Sequence, residues 1–420
     1  MDKNSSQQPE WHDTTTLNSV LETLSVAPPL LLGAECDRLR GQLGEVARGE
    51  AFLVQGGDYV EAFAGATADS IRSRLRTLLQ MAVVLTYGAA LPVVKVGLMA
   101  DRFAEPRCGP AARNPDPRRL LTLYEKSAAT LNLVRAFAEG GEADLRQAHA
   151  WNQGFVRESS SGFRYEVLAG EIDRALSFMS ACGVDFREVR RTEIFASHEG
   201  LPLDYEAALT RTDPSTGRVH ATSGHLLWIG ERTRRLDGPH LEFFSQIANP
   251  VAVRLGPSTT PDDVLGQVES LDPDREAGRL TFVVGMGASR VRDLLPALVE
   301  KALAEGVQVG WVCDPVRGNT SPAPDGRRTR GLDVILDEVR GFFEVHHSLG
   351  THPGGIHVEL TGDDVTERVD GDDVVVERRH QRYETAHDPR LNRSHSLELA
   401  FLVAEMLRGG ASEPPRPGGA

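Results

Sequence analysis

The chain has 420 residues, of which 40% are hydrophobic and 25% charged, and its formal net charge is −14. A chain of this length can bury a large core, either as two domains or as one α/β barrel with additions. The acidic balance argues against a nucleic-acid-binding protein, because such proteins present a basic face that neutralises phosphates. No nucleic-acid partner is therefore expected.

The ends of the chain and its cysteines restrict the class of protein further. No charged segment followed by an apolar run opens the chain, and no apolar run is long enough to span a bilayer. Four cysteines lie far apart without a CxxC pair, so neither a zinc ribbon nor a disulfide framework is indicated. We predict a cytoplasmic protein that has no membrane partner and acts on a small molecule.

Residues 1–10 are polar and residues 409–420 are rich in Gly and Pro, and both are expected to be disordered. The folded part is predicted to be residues 11–408. Within it, eight short runs rich in β-branched residues predict strands, namely 51–59, 93–100, 193–200, 225–232, 251–257, 280–287, 307–315 and 354–361.

Amphipathic segments follow several of the predicted strands. In "STTPDDVLGQVESL" a Thr precedes Pro261 as an N-cap, and Val264 and Val268 share one helix face. The stretches "SRVRDLLPALVEKAL" and "LDVILDEVRGFFEVH" have the same helical period. Eight strands with intervening helices predict an α/β fold, the (β/α)8 TIM barrel, whose chemistry lies at the C-terminal ends of the strands.

Polar residues collect at those predicted strand ends. They are Gln55, Asp58, Tyr59, Glu199, Glu231, Arg232, Arg254, Asp314, Arg317 and Glu359. A single residue of this kind is as consistent with a salt bridge at the rim as with a functional site. Their occurrence at most of the strand ends indicates a site in the mouth of the barrel.

Long motifs in the chain resemble those of the class II (plant-type) 3-deoxy-D-arabino-heptulosonate 7-phosphate (DAHP) synthases. They are "QGGD", "LWIGERTR", "LDGPHLEFFSQIANPVAVRLGP", "WVCDPVRGNT", "THPGGIHVELTGDDVTE", "YETAHDPRLN" and "SLELAFLVAEML". The resemblance runs from about residue 11 to 408. It implies a TIM barrel with extra N-terminal helices and an inserted helical pair at roughly residues 120–185. It also implies a homo-oligomer, such as a dimer.

The family condenses phosphoenolpyruvate with erythrose 4-phosphate at a divalent metal, which is the first step of the shikimate pathway and of aromatic amino acid biosynthesis. The resemblance implies a Cys and a His ligand where this chain has Tyr59 and Arg317, whereas the ligands Glu359 and Asp388 are present. A guanidinium has no acceptor and cannot coordinate a cation. We therefore expect no metal or other cofactor. The alternative is a divalent metal (Mn, Co or Zn) held by His387, Glu359 and Asp388.

The phosphoenolpyruvate pocket implied by the resemblance is only partly present. Its retained residues are Arg107, Glu199, Trp228, Glu231 and Arg232. Leu98 and Gly285 stand where the family has arginines, and Glu105 and Cys108 replace a Lys and a Ser. Arg254 and Arg328 replace lysines. Each lost cationic contact could remove about 1.5–3 kcal/mol of binding free energy.

Three functions fit these substitutions. The preferred one is a transferase or lyase acting on a bulkier, less anionic small molecule in specialised (natural product) metabolism, without a metal. Tyr59 and His387 would exchange protons in it, and Arg254 and Arg317 would assist. The alternatives are a non-catalytic partner or regulator of a true synthase, and a true DAHP synthase with a rearranged metal site. Tyr59 is equally consistent with a side chain that only fills space.

The replaced ligand Arg317 also permits a structural prediction. Two unpaired carboxylates in the mouth of a barrel would repel each other. We therefore predict that Arg317 forms an ion cluster with Glu359 and Asp388 in place of a metal, with Tyr59 packed beside it.

Overall fold

A computed structural model describes residues 7–58, 67–98, 115–139, 145–158, 162–183, 193–322, 328–329, 331–363, 365 and 390–411. At its centre eight parallel strands form a closed barrel in which each strand pairs with its neighbours in the chain and the last pairs with the first. The strands are β1 (Phe52–Gly57), β2 (Val93–Leu98), β3 (Phe195–Glu199), β4 (Leu226–Ile229), β5 (Val251–Leu255), β6 (Leu280–Val284), β7 (Gly310–Cys313) and β8 (Gly355–Glu359). The predicted TIM barrel and its eight strands are confirmed.

Twelve α-helices are described around the barrel. They are α1 (Thr14–Val26), α2 (Gly33–Ala47), α3 (Ala68–Ala89), α4 (Arg119–Glu139), α5 (Leu145–Glu158), α6 (Glu166–Ala181), α7 (Leu203–Ala208), α8 (Pro239–Ser245), α9 (Pro261–Leu271), α10 (Val291–Ala304), α11 (Leu332–Ser348) and α12 (Arg393–Ala411). Two short antiparallel hairpins, Thr210–Thr212 with Val219–Ala221 and Ser321–Pro322 with Arg328–Thr329, lie outside the barrel.

The start of α9 shows how the sequence determines a helix end. Thr260 accepts a hydrogen bond from the backbone of Asp263, whose side chain accepts one from the backbone of Thr260. This reciprocal capping box satisfies two backbone N–H groups that have no partner within the helix. Pro261 occupies the first turn, where its missing N–H costs nothing.

The period of two along the strands divides the core into an inner and an outer part. Leu53, Phe195, Leu226 and Ala252 belong to the inner cluster, together with residues of α2. Their neighbours along the strands, such as Phe52 and Val253, belong to the outer cluster beneath the helices. From α2, the side chains of Leu39, Leu43 and Val46 enter the inner cluster, so this helix closes the N-terminal end of the barrel.

Three helices, α4 to α6, lie between β2 and β3. Two hydrogen bonds join this region to α3: Gln80 Nε2 donates to Asn152 Oδ1, and Asn152 Nδ2 donates to the Gln80 carbonyl, each at 3.0 Å. Both residues are buried, so their side chains pair in a site from which water is excluded. Among the described helices, none combines the length and apolar character that crossing a membrane would need.

Candidate active site

The C-terminal end of the barrel is lined by one inward-facing residue at or just beyond the end of each strand. We call these eight positions the mouth ring: Gly57, Leu98, Glu199, Gly230, Gly256, Gly285, Asp314 and Glu359. On most of the strands, a residue two or four positions before the ring position belongs to the inner cluster. Because side chains two positions apart on a strand share a face, the ring positions also face inward. Four of the eight are glycines, so neighbouring groups lie close against the wall of this end of the barrel, which we call the funnel.

Arg254 is the cation at the centre of this end. It is 3% exposed, and its Nη2 lies 2.8 Å from Asp314 Oδ2. The same nitrogen donates to Nε2 of His357 at 2.9 Å, and the guanidinium lies 4.6 Å from the ring centroid of Trp228. A carboxylate, an imidazole and an indole face thus fix one permanent positive charge just below the mouth ring.

His357 is neutral in this arrangement. Burial, together with the charge of Arg254, lowers its pKa to about 3. Because Nε2 accepts a hydrogen bond from Arg254, the ring proton is assigned to Nδ1. His357 therefore orients the guanidinium and does not carry a proton at neutral pH.

Two glutamates occupy the space above two of the ring glycines. A Cβ atom added at Gly230 would overlap the carboxylate of Glu199, and one added at Gly256 would overlap the carboxylate of Glu231. Glu199 is 6% exposed, whereas Glu231 is partly exposed. Because these glycines have no side chain, the two carboxylates can lie directly against the wall of the funnel.

The β1 side of the mouth holds a further polar pair. Arg390 Nη1 lies 2.9 Å from Asp58 Oδ2, and both side chains are mostly buried. One layer deeper, Gln55 Nε2 donates to Ser197 Oγ at 2.8 Å. This side of the barrel therefore also contributes a cation near the ligand space.

The N-terminal segment reaches the same end of the barrel. Gln8 accepts a hydrogen bond from the backbone of Leu203 at 3.0 Å, and Trp11 Nε1 donates to Asp204 Oδ2 at 2.8 Å. With its amide oxygen turned toward Arg232, Gln7 lies 2.9 to 3.1 Å from all three guanidinium nitrogens. An oxygen equidistant from three coplanar nitrogens lies over their plane, so the N–H edges of Arg232 point elsewhere.

Comparisons with known proteins agree with this barrel and its polar mouth. Residues 1–112 and 109–404 match the model of the Class-II DAHP synthetase family. The chain belongs to the class II DAHP synthetase family.

Named relatives of this DAHP synthetase chain are close to it in sequence. It is 58% identical to phospho-2-dehydro-3-deoxyheptonate aldolase of Streptomyces coelicolor, over 96% of this chain and 95% of that relative. It is 52% identical to phospho-2-dehydro-3-deoxyheptonate aldolase AroG of Mycolicibacterium smegmatis, over 96% and 92% of the two chains. A truncated DAHP synthase structure from Thermotoga maritima shares 12% identity over 84% of each chain with a TM-score of 0.35, which adds nothing to the fold assignment.

These relatives overturn the preferred functional interpretation of the sequence. Conversion to a bulkier, less anionic substrate in specialised metabolism is wrong, because relatives more than half identical over nearly the whole chain are named phospho-2-dehydro-3-deoxyheptonate aldolases. Loss of metal dependence finds no support in these relatives. They also give no support to describing the chain as a divergent member with altered sites. The sequence interpretation weighed the lost arginines at Leu98 and Gly285, whereas Arg254 and Arg390 carry positive charge at the same end of the barrel.

The predicted site residues of the DAHP synthetase chain fall into three groups. Leu98, Glu199, Gly285 and Glu359 lie on the mouth ring, and Trp228, Glu231, Arg232 and Arg254 lie beside it. Tyr59, Glu105, Arg107, Cys108, His387 and Asp388 lie outside the described residues, and only the backbone of Arg328 is described. The structure therefore brings together the described part of the predicted site, whose roles stay predictions.

Arg317 is placed differently from the prediction. It is exposed, and among the described residues it forms no ion pair with Glu359. A Cβ added at Gly285 would lie 3.9 Å from Cβ of Arg317, so the residue borders the mouth ring, and its charge helps to lower the pKa of His357. The expected pairing of Arg317 with Glu359 is therefore wrong, because the long side chain extends toward solvent, where its charge is hydrated.

The described residues do not complete a metal site. Within the part of the chain that the structure describes, no group of three or more His, Cys, Asp or Glu side chains could hold a metal ion. Glu359 is the described member of the set proposed from the sequence, and the guanidinium of Arg317 cannot be a ligand. We therefore derive no chemical step through a metal.

The sequence reasoning missed two residues of the site. His357 lies two positions before Glu359 on β8, so the strand period alone could have placed it inside the barrel. Arg390 lies within the quoted motif "YETAHDPRLN", but its pairing with Asp58 joins residues 332 positions apart. No local pattern in the sequence predicts such a contact.

Proposed function

We propose that the chain is a working 3-deoxy-7-phosphoheptulonate (DAHP) synthase that condenses phosphoenolpyruvate with erythrose 4-phosphate. In this reaction C3 of phosphoenolpyruvate bonds to the aldehyde carbon of erythrose 4-phosphate, water adds at C2, and inorganic phosphate leaves as the 2-keto group forms. The observation that carries the proposal is the 58% identity over 96% of the chain to a protein named for the same product.

The geometry of the mouth supports an anionic substrate. Arg254 is held by Asp314 and faces the funnel from below, and its guanidinium cannot lose its proton at any physiological pH. A carboxylate or phosphate entering between the ring glycines would meet this charge in a site with little water, where the attraction is stronger than in bulk solvent. We assign Arg254 as the anchor of an anionic substrate group.

Glu199 and Glu231 are the acid and base candidates among the described residues. Both carboxylates lean over the funnel wall at the ends of adjacent strands, within reach of a ligand in the ring. His357 does not compete for this role, because its pKa of about 3 keeps it neutral. The sequence-based suggestion that Tyr59 or His387 serves as acid or base applies only if no metal is bound, and it stays a prediction.

The metal requirement is part of the same test. His387, Glu359 and Asp388 are proposed to hold a divalent cation in a rearranged site, and one nitrogen and two carboxylates suit Mn, Co or Zn. Small-molecule substrates and an assembly of identical subunits complete the proposal.

The proposal is tested with the purified chain, phosphoenolpyruvate, erythrose 4-phosphate and a series of divalent metals, with phosphate release as the readout. We expect release that depends on both substrates and is lost in the variant Arg254→Met. The matched control is Arg279→Met, which removes a buried arginine at the other end of the barrel. No release with any metal, under conditions in which the S. coelicolor relative is active, would reject the proposal and favour a non-catalytic partner.

A further inference from the structure

Glu338 is a buried carboxylate behind the mouth ring. It lies on α11 and is fully buried. Its Oε1 accepts hydrogen bonds from the backbone N–H groups of Met286 at 2.8 Å and Gly287 at 2.7 Å. Its Oε2 accepts one from Nδ2 of Asn319 at 2.6 Å. One side chain on an outer helix therefore binds three donors from two loops.

Asn319 extends this connection. Its Nδ2 also donates to the Pro315 carbonyl at 2.8 Å, and its Oδ1 accepts from the backbone N–H of Ala288 at 3.0 Å. Both amide hydrogens and the amide oxygen are thus engaged. Glu338 and Asn319 together join the loop after β6, residues 285–290, to the loop after β7, residues 314–319.

The two joined loops carry part of the proposed active site. Gly285 and Asp314 are mouth-ring positions, and Asp314 forms the ion pair that holds Arg254. The loops touch closely, since a Cβ atom at Gly318 would overlap the backbone of Gly287, and one at Gly285 would lie 3.1 Å from the Asp314 carbonyl. A shift of either loop would therefore move Asp314, and with it the guanidinium of Arg254.

We propose that Glu338 is a positioning residue of the synthase: its ionised carboxylate ties the loops after β6 and β7 together and thereby fixes Asp314 and Arg254 for the substrate. The inference rests on the proposed function for its catalytic consequence. The loop connection itself rests on the hydrogen bonds alone.

The surroundings of Glu338 make its charge sensitive to pH. Burial raises its pKa from 4.5 to about 7, the charge of Asp314 acts in the same direction, and the N–H groups of the two loops oppose it. The Cys313 thiol faces it from β7 and is kept protonated by burial. Arg292 on the neighbouring α10 is engaged on the exposed side by Asp337 and Glu344.

Activity and stability should then depend on pH in opposite directions. Protonation replaces an acceptor by an O–H group, so the loops loosen and kcat/KM falls as the pH drops through about 7. Because the folded pKa is raised, the contribution of Glu338 to the free energy of unfolding is full below pH 4.5 and is lost as the pH rises through 7. A carboxyl group that was only buried would produce the stability dependence without the activity dependence.

The test compares wild type, Glu338→Gln and the control Asp337→Asn. Asp337 is the neighbouring residue on α11 and forms an exposed pair with Arg292. In Glu338→Gln the new N–H group faces the amide of Asn319, so we expect kcat/KM to fall about tenfold, equivalent to one lost charged hydrogen bond, and the acid limb of the pH profile to disappear. The control Asp337→Asn should retain the wild-type kcat/KM and the acid limb of the pH profile.

A second variant and a second measurement decide the matter without relying on activity alone. The double variant Glu338→Gln/Asn319→Asp restores a donor and an acceptor between these two side chains but loses the bond to the Pro315 carbonyl, so it should recover only part of the lost kcat/KM. Hydrogen–deuterium exchange of residues 285–290 should accelerate in Glu338→Gln and not in Asp337→Asn.

An inactive wild type would reject the proposed function, and the exchange measurement would still decide whether Glu338 holds the loops. Unchanged exchange in Glu338→Gln would overturn the inference. So would an acid limb that survives in Glu338→Gln of an active enzyme.

Discussion

Two buried arginines lie at opposite ends of the same barrel and are held in different ways. Arg279, just before β6, donates to the carbonyls of Leu271 at 2.9 Å and Phe244 at 2.8 Å, and also to the carbonyl of Asn249. Arg254, on β5, faces the side chains of Asp314, His357 and Trp228. One guanidinium braces backbone segments, whereas the other is fixed by side chains beside an open funnel.

The difference follows the composition of the barrel interior. At the N-terminal end, α2 fills the barrel with leucine and valine side chains, so rigidity there comes from apolar packing. Only two residues farther along β5, Ala252 gives way to Arg254, and along β1 Leu53 gives way to Gln55. Stability and ligand binding are thus assigned to the two ends of the same strands.

The largest expected effect is at the mouth. Arg254→Met should lower kcat/KM by about 100-fold or more, because it removes a preorganised charge from a site with little water. It should also destabilise the fold by about 3–5 kcal/mol, since Asp314 is left as a buried, uncompensated charge. Steady-state kinetics and denaturant unfolding measure the two effects. Wild-type kinetics in this variant would contradict the assignment of Arg254.

Arg279→Met should lower the stability of the protein without lowering its activity. Its three carbonyl partners lose a charged donor, so the free energy of unfolding should fall by about 3 kcal/mol or more. The values of kcat and KM of the protein that remains folded should stay at wild-type levels, because the residue is at the N-terminal end. Denaturant unfolding gives the stability change, and kinetics at a temperature well below the transition gives the activity. A loss of kcat without a loss of stability would contradict the assignment of stability to the N-terminal end and ligand binding to the C-terminal end.

The smallest expected effect concerns the N-terminal segment. Gln7→Ala removes the amide oxygen that lies over the guanidinium of Arg232. We expect KM for one substrate to rise about twofold to fivefold, which corresponds to about 0.5–1 kcal/mol, with kcat unchanged. Glu10→Ala, at an exposed position in the same segment, is the control. An equal effect of both substitutions would show that Gln7 has no specific role.

The sequence predicted the fold well, for a physical reason. The strands of a parallel barrel are covered on both faces, so their sequences are short apolar runs. The capping residues around Pro261 marked the start of a helix between two of these strands. The sequence also predicted the location of Arg254 and Glu199, because the C-terminal ends of the strands lie at the mouth of any such barrel. Contacts between distant segments, such as Glu338 with Met286 or Asp58 with Arg390, arise only from packing and leave no local pattern.

The functional prediction failed for a related reason. Each substitution in the implied pocket was assigned its own loss of binding energy, whereas charges in one cavity act together. The exposed position of Arg317 shows the same limit, since its residue type did not determine where the side chain points. The residue type determines what a side chain can do chemically, and the packing of the fold determines which groups it contacts.

The ring glycines differ in how much substitution they tolerate, which makes the funnel adjustable at one point. At Gly57 an added methyl group would collide with the backbone of Leu98, and at Gly230 and Gly256 it would displace a glutamate. At Gly285 the nearest atom is the backbone oxygen of Asp314 at 3.1 Å, so an added methyl group would press on this carbonyl without displacing a side chain. A single alanine at that position would therefore narrow the aperture of the barrel and shift the backbone of Asp314 slightly, which makes Gly285 the ring glycine where selection for substrate size disturbs the wall least.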